Sequence, residues 1–305
     1  IPQSTQDRIW AAVAELGYRP NAIARGLRAQ QTYTIGFISD NIATTPYAVQ
    51  ILQGAQDSAW QQKYLLLTIN TGKDKEMKKA AVNALLDRQV DGIIYATMYH
   101  RQVSPPENIR DVPTVLLDCY VEDRSLPSVV PDEVKGGYEA TRHLLQHGHQ
   151  RIGFVCDASG VDATFGRLAG YKQALAEYGI PFDESLTQYR GYSISQYGYE
   201  GTLELMQHQR PPTALFCYND RMAMGAYRAL RHLGLKVPQD VAIVGFDNQK
   251  LVAADLDPAL TTMALPHYEM GQWATKHLLK LISKEVDTTP IQHMLDCPLI
   301  KRDSV

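Results

Sequence analysis

Seven side chains in this sequence are of the types that hold a small polar ring: Asp40, Tyr47, Asp118, Arg167, Tyr192, Asn219 and Asp247. Carboxylate and amide oxygens accept protons from hydroxyl groups, and a guanidinium offers a rigid fork of donors. A tyrosine face covers the apolar C–H side of a sugar, or stacks on a nucleobase with equal ease. The ligand class read from these residues is therefore a polyhydroxylated molecule, with a purine left open. Each residue also has a plainer role. Asp and Asn after a strand cap the next helix, Arg forms surface ion pairs, and Tyr packs in a core.

The positions of these residues give the set its weight. Short apolar runs rich in strand formers recur at 34–39, 64–70, 92–96, 114–118, 151–156, 214–218 and 241–246. Amphipathic stretches separate them at 47–62, 74–88, 133–147, 165–178, 195–208, 220–233 and 268–284. Near-continuous apolar strands alternating with helices predict parallel sheets covered on both faces, built from right-handed βαβ units. At 305 residues the chain suits two domains or one large α/β domain. In such sheets ligands bind beyond the carboxyl ends of the strands. Asp40, Asp118, Asn219 and Asp247 all fall at those ends, and Arg167 is expected where a loop enters a helix.

Catalytic motifs are missing from the sequence. No G-x-G-x-x-G follows a strand, and neither a phosphate-binding G-x-x-x-x-G-K-[ST] loop nor a G-x-S-x-G elbow occurs. The pair in 147-HGH-149 has poor spacing for a metal and reads as a turn between helix and strand. No enzyme, metal or cofactor is expected. Cys119, Cys156, Cys217 and Cys297 lie in or beside apolar runs without C-x-x-C spacing, as buried free thiols in a reducing cytoplasm do. No run of 18 apolar residues offers a membrane partner, and no secretory signal opens the chain. The net charge of −3 hides an asymmetry: residues 1–31 carry Arg8, Arg19, Arg25 and Arg28 against Asp7 and Glu15, a balance of +2 that leaves −5 for the rest. That balance points to a polyanion partner for the first segment alone.

The same segment ends in 20-PNAIARGLRAQ-30, which reads as a short helix capped by Asn21 with Ile23 and Leu27 on one face. Gly26 interrupts it, and isolated helices shorter than about 12–15 residues are marginal in water. Such a helix needs a partner to fold.

Ordered segments along the chain carry a resemblance. They are 15-ELGYRPNAIARGLRAQQTYTIGFISD-40, 91-DGIIYA-96, 143-HLLQHGHQRIGF-154, 166-GRLAGYKQAL-175, 219-NDRMAMGAYRAL-230, 237-VPQDVAIVGFDN-248 and 258-PALTTM-263. With them the sequence resembles the LacI/GalR family of bacterial transcriptional regulators over essentially its whole length. The resemblance implies an α/β protein of two Rossmann-like parallel-sheet subdomains, like a periplasmic binding protein, with a ligand cleft between them. Crossings would fall near Pro131, Thr262 and Pro290. Residues 32–131 and 262–290 would then form one subdomain, and 132–261 and 291–305 the other. Residues 1–31 would be a remnant of the helix-turn-helix headpiece and hinge helix.

Matched motif by motif, Arg167, Asp247 and Asn219 look like the family's effector-binding arginine, aspartate and asparagine. Tyr192 sits where an aromatic often covers the ligand, Asp118 matches a pocket position, and Asp40 and Tyr47 lie in the loop 40-DNIATTPYA-48, which follows a variable part of the family. In the hinge, Leu27 resembles the wedge that opens a base step in the minor groove, with Asn21, Ala24, Arg25 and Arg28 near the groove walls and phosphates. The implied function is that of a cytoplasmic, homodimeric, allosteric repressor. It would bind operator DNA and a small effector, a sugar or sugar phosphate. The alternatives are a purine-responsive repressor and a periplasmic-type sugar-binding protein. Residues 4–18 resemble the third headpiece helix, and the recognition helix would lie before Ile1. The chain is accordingly expected to be a truncated core that binds effector and dimerises but binds operator weakly or not at all.

Overall fold

The computed structural model describes residues 2–17, 31–286 and 289–305. The expected hinge, with Asn21, Ala24, Arg25, Leu27 and Arg28, lies outside those residues. Before it, α1 (Gln3–Glu15) is the expected helix of the first segment, with Ile9 and Trp10 exposed.

The apolar runs form two six-stranded sheets. In the first, β1 (Thr34–Ser39), β2 (Leu65–Asn70), β3 (Gly92–Gln102), β4 (Thr114–Tyr120), β5 (Ser128–Pro131) and β11 (Gln292–Leu295) pair in the order β2-β1-β3-β4-β5-β11. All its pairings are parallel. Side chains alternate between its faces, as a pleated strand requires. Ile35 and Phe37 pack with α2 (Val49–Gln61) and α8 (His267–Ile282), while Ile38 joins Val82 and Leu85 of α3 (Lys75–Leu86) on the other face.

In the second sheet, β6 (Ile152–Asp157), β7 (Thr187–Arg190), β8 (Ala214–Cys217), β9 (Ala242–Asp247), β10 (Thr261–Ala264) and β12 (Leu299–Ile300) run in the order β7-β6-β8-β9-β10-β12. Only the last pairing is antiparallel. Its faces are covered by α4 (Glu133–Gln146), α5 (Asp162–Glu177), α6 (Ser195–Met206) and α7 (Asp220–His232) around one continuous apolar core. Both sheets share the order 2-1-3-4-5 over their first five strands, a doubly wound arrangement whose ligand crevice lies at the carboxyl ends of the strands.

Strand partners fix where the chain passes between the sheets: 131–133, 264–267 and 295–299. The crossings expected near Thr262 and Pro290 move to 264–267 and 295–299. Thr262 pairs with Gly245 and Ile300 inside the second sheet. Residues 292–295 pair with 128–131 at the edge of the first, so they do not belong with 296–305. Strands as short as β10 and β11 carry too few residues for periodicity to reveal them. A second correction concerns Arg167: α5 begins at Asp162, so the arginine stands in the helix and not at its entry.

Glycines set how α5 meets α4. A Cβ on Gly170 would lie 2.1 Å from the Val134 carbonyl oxygen, and one on Gly137 would lie 2.3 Å from that of Arg167. The backbones therefore touch, and the side chain of Arg167 is delivered against the first turn of α4. The turn 147–149 is as read: His147 ends α4 with its Nδ1 2.8 Å from the His143 carbonyl, and Gly148 adopts φ +89°. All four cysteines are buried and free.

Candidate functional site

Arg167 is the centre of a buried cluster at the junction of the sheets. It is 2% exposed. Its Nε donates to Glu133 Oε2 at 2.7 Å and Nη2 to Glu133 Oε1 at 3.2 Å, a bidentate pair across α4 and α5. Nη1 donates to the Tyr218 carbonyl at 2.6 Å, where β8 ends, and stands 3.8 Å from Asp247 Oδ1. The guanidinium plane lies between the rings of Phe246 and Tyr218, 3.7 and 4.4 Å from their centroids. Three of its five N–H donors are engaged by these bonds. Burial opposes its charge, but the negative groups around it outweigh that effect and hold it protonated.

Asp247 ends β9 with φ +105°, a left-handed conformation uncommon outside glycine that aims its carboxylate inward. Burial pushes its pKa up, and Arg167 and the Gln249 side-chain amide pull it back. The hydroxyl of Tyr47, from the first sheet's side, donates to Asp247 Oδ1 at 3.2 Å. Two residues 200 positions apart in the sequence are thus joined across the junction. Beside them Asp220 is wholly buried. It accepts from Thr262 Oγ1 and the Gln249 amide, both at 2.6 Å, and burial and Asp247 raise its pKa.

The first sheet contributes Asp118, at the end of β4 with φ +56°. It is 4% exposed, its Oδ1 has no hydrogen-bond partner, and burial followed by Glu133 raises its pKa well above the carboxylate range. His267, at the start of α8, meets the Tyr47 ring edge-on at 5.2 Å. Its Nε2 is likewise unpartnered, and burial and the charge of Arg167 lower its pKa to about 4. A second bridge runs from Tyr120 at the end of β4 to Asp162 of α5, hydroxyl to carboxylate at 3.0 Å, with His100 edge-on to Tyr120.

The structure brings Tyr47, Arg167 and Asp247 into contact, with Asp118 close enough to Arg167 for their charges to interact. Asn219 is 2% exposed but caps α7, accepting from the Met222 amide at 2.9 Å and donating to the Ser193 carbonyl at 3.2 Å. Asp40 is turned to Arg101, 2.7 Å away. Tyr192 stands apart in the bend before α6, 63% exposed.

Sequence reasoning passed over Glu133, Tyr218, Phe246 and His267. Glu133 read as an ordinary acidic residue in a first helical turn. Its signal was its place directly after the 131-PD-132 passage, opposite the helix bearing 166-GRLAG-170. Among the described residues no group of three or more His, Cys, Asp or Glu is arranged to hold a metal, and no helix is long and apolar enough to cross a membrane.

Residues 32–302 match the model of periplasmic binding proteins and the sugar-binding domain of the LacI family. The whole chain is 34% identical to the HTH-type transcriptional regulator RegA of Clostridium saccharobutylicum, across 91% of that protein. It is 32% identical to the HTH-type transcriptional repressor PurR of Yersinia pestis bv. Antiqua, across 89% of it. The Lac repressor bound to ONPG in its repressed state superposes with a TM-score of 0.82 at 27% identity, over 100% of this chain and 92% of that one.

Proposed function

The chain belongs to the LacI/GalR family of transcriptional regulators, and from that premise we propose that it is a homodimeric repressor whose operator affinity is set by a carbohydrate, free or phosphorylated, held at the junction of its two sheets. The observation that carries this reading is the Tyr47–Asp247 hydrogen bond beside the Arg167–Glu133 pair. It joins the two sheet units through groups that hydroxyls of a ligand would exchange with. Asp247 and Asp118 are the acceptors for ligand hydroxyls, the remaining donors of Arg167 bind ring or hydroxyl oxygens, and Tyr47 covers one face.

A ligand that replaces the Tyr47–Asp247 bond by bonds of its own to both units changes the angle between them. In a dimer the two first-sheet units carry the segments that lead to the hinges at 20–30. Their separation follows that angle, and about 1–3 kcal/mol of coupling is enough for allosteric control. The work is binding and not catalysis, in the cytoplasm where the operator is. The Tyr47 ring, which can stack on a nucleobase as readily as on a sugar, favours one other reading, a purine corepressor.

Operator binding by the full-length protein, titrated against a panel of sugars, sugar phosphates and nucleobases, tests both. A shift in affinity with a carbohydrate supports the first reading, and one with a purine alone replaces it. Failure to bind DNA with or without any ligand sinks the repressor assignment.

A further inference from the structure

A second polar site lies on the first sheet's side, beyond the Asp40–Arg101 pair. The turn after β2 is tied down by hydrogen bonds from the Thr71 and Gly72 amides to the Ser39 and Asp40 carbonyls, at 2.8 and 2.9 Å. Asp74 then caps α3, accepting from the Glu76 and Met77 amides. This launches α3 so that Lys75, Lys78 and Lys79, three and four residues apart, share one face. Opposite them β3 runs on past a shift in register, between Ala96 and Arg101, that turns Arg101 towards the helix. Between the two walls is a groove of about 610 Å³, floored by Tyr95 and closed by 103-VSPP-106.

Five cations line this groove, Lys73, Lys75, Lys78, Lys79 and Arg101, and no carboxylate does. Among the described residues no acid lies within ion-pair distance of any of the four lysines, and the one carboxylate at hand, Asp40, is taken by Arg101. Lys78 is half-buried; burial and the charge of Arg101 lower its pKa. Like charges on one helix face and across a groove destabilise the fold unless an anion comes between them. Folded proteins do not place such a set at no cost, and a concave volume of this size suits a small molecule more than an extended polymer.

We propose that this groove binds a phosphate-type dianion, either free phosphate or the phosphoryl group of a small phosphomonoester. Ammonium groups serve as point charges for the phosphoryl oxygens, and the free edge of the Arg101 guanidinium supplies directed donors. The site is separate from the Arg167 cluster and does not depend on the effector assigned there.

Calorimetric titration of the protein at low salt with inorganic phosphate, glycerol 3-phosphate and glycerol tests it. Phosphate and the ester are expected to bind and glycerol is not. The variant Lys78→Gln/Lys79→Gln should weaken both roughly tenfold or more, a loss of at least about 1.4 kcal/mol. The control pair Lys172→Gln/Lys236→Gln, on exposed positions of the second unit, should bind like wild type. Lys75→Gln/Lys79→Gln, both at exposed positions of α3, gives the same reading should the first variant melt early. Equal affinity for phosphate and the ester identifies free phosphate as the ligand; tighter ester binding identifies a phosphorylated metabolite. Wild type that binds neither anion, or lysine variants that bind both unchanged, would overturn the proposal. So would loss of duplex-DNA affinity in those variants with phosphate binding intact.

Discussion

The two halves of the junction are built differently. On the second sheet's side the central charges have their partners in place, with Arg221 Nε the exception beside Tyr47. Arg167 is bidentate to Glu133, bonded to the Tyr218 carbonyl and clamped between two rings, while Asp220 is held by Thr262 and Gln249. On the first sheet's side Asp118 Oδ1 and His267 Nε2 are buried without partners, and four lysines face a groove without an acid. A satisfied buried network is stiff and specifies one geometry, whereas unsatisfied groups favour whatever supplies the missing bonds. One half is therefore an anchor. On the proposed reading the other half would supply the differential contacts by which a ligand favours one arrangement of the units over another.

The sharpest way to break this contrast is Arg167→Ala. Glu133 would be left buried and uncompensated, and removing one partner of such a pair costs about 3–5 kcal/mol. Denaturant unfolding should show that loss together with loss of ligand response. A variant of wild-type stability would mean that the anchor is not rigid, while Arg167→Lys, which keeps the charge but not the fork, should fall between.

His267 sharpens the contrast through pH. Its folded pKa, about 4, lies below the ordinary 6.5, so its contribution is full above 6.5 and lost as pH falls towards 4. The raised carboxyls of Asp118, Asp220 and Asp247 act in the opposite sense, gaining stability as they take up protons. Comparison with His267→Phe separates the two. Wild type should lose up to about 3 kcal/mol relative to the variant between pH 6.5 and 4. Parallel stability curves for the two proteins would show that His267 is not buried as a neutral ring.

The smallest effect is expected from Tyr47→Phe. Removing one neutral donor to a carboxylate across the junction should cost about 1–2 kcal/mol and leave each sheet's own packing untouched. Small-angle scattering of the variant should show a wider distribution of angles between the units. An unchanged profile would place the control of closure at the Tyr120–Asp162 bridge instead.

Much of this was legible in the sequence, and the exceptions have physical causes. The seven longer apolar runs all became strands, because a strand covered on both faces must be apolar throughout. Strands β5, β7, β10, β11 and β12 were not seen: each has four residues or fewer and, unlike the equally short β8 inside the apolar run 214–218, none lies within a longer apolar run. The extension of β3 through 97–102 is polar and follows a register shift, so it read as loop. In the site, Arg167 and Asp247 stood out as polar groups inside apolar surroundings. Glu133 did not, because an acid in a helix's first turn already has a sufficient explanation. Tyr192 was read from its type, and nothing in a single sequence told that its ring faces outward.

The third passage has a consequence for how the protein is made. Residues 292–295 complete the edge of the first sheet, 299–300 that of the second, and Ser304 bonds to both Ile243 and Thr261. Neither sheet can be finished until this stretch has left the ribosome, however early its other strands emerged. Synthesis that stops short of it yields two incomplete sheets with open edges, which are templates for aggregation. A prematurely terminated copy would thus be cleared, and would not persist as a half-working competitor for ligand or partner subunit.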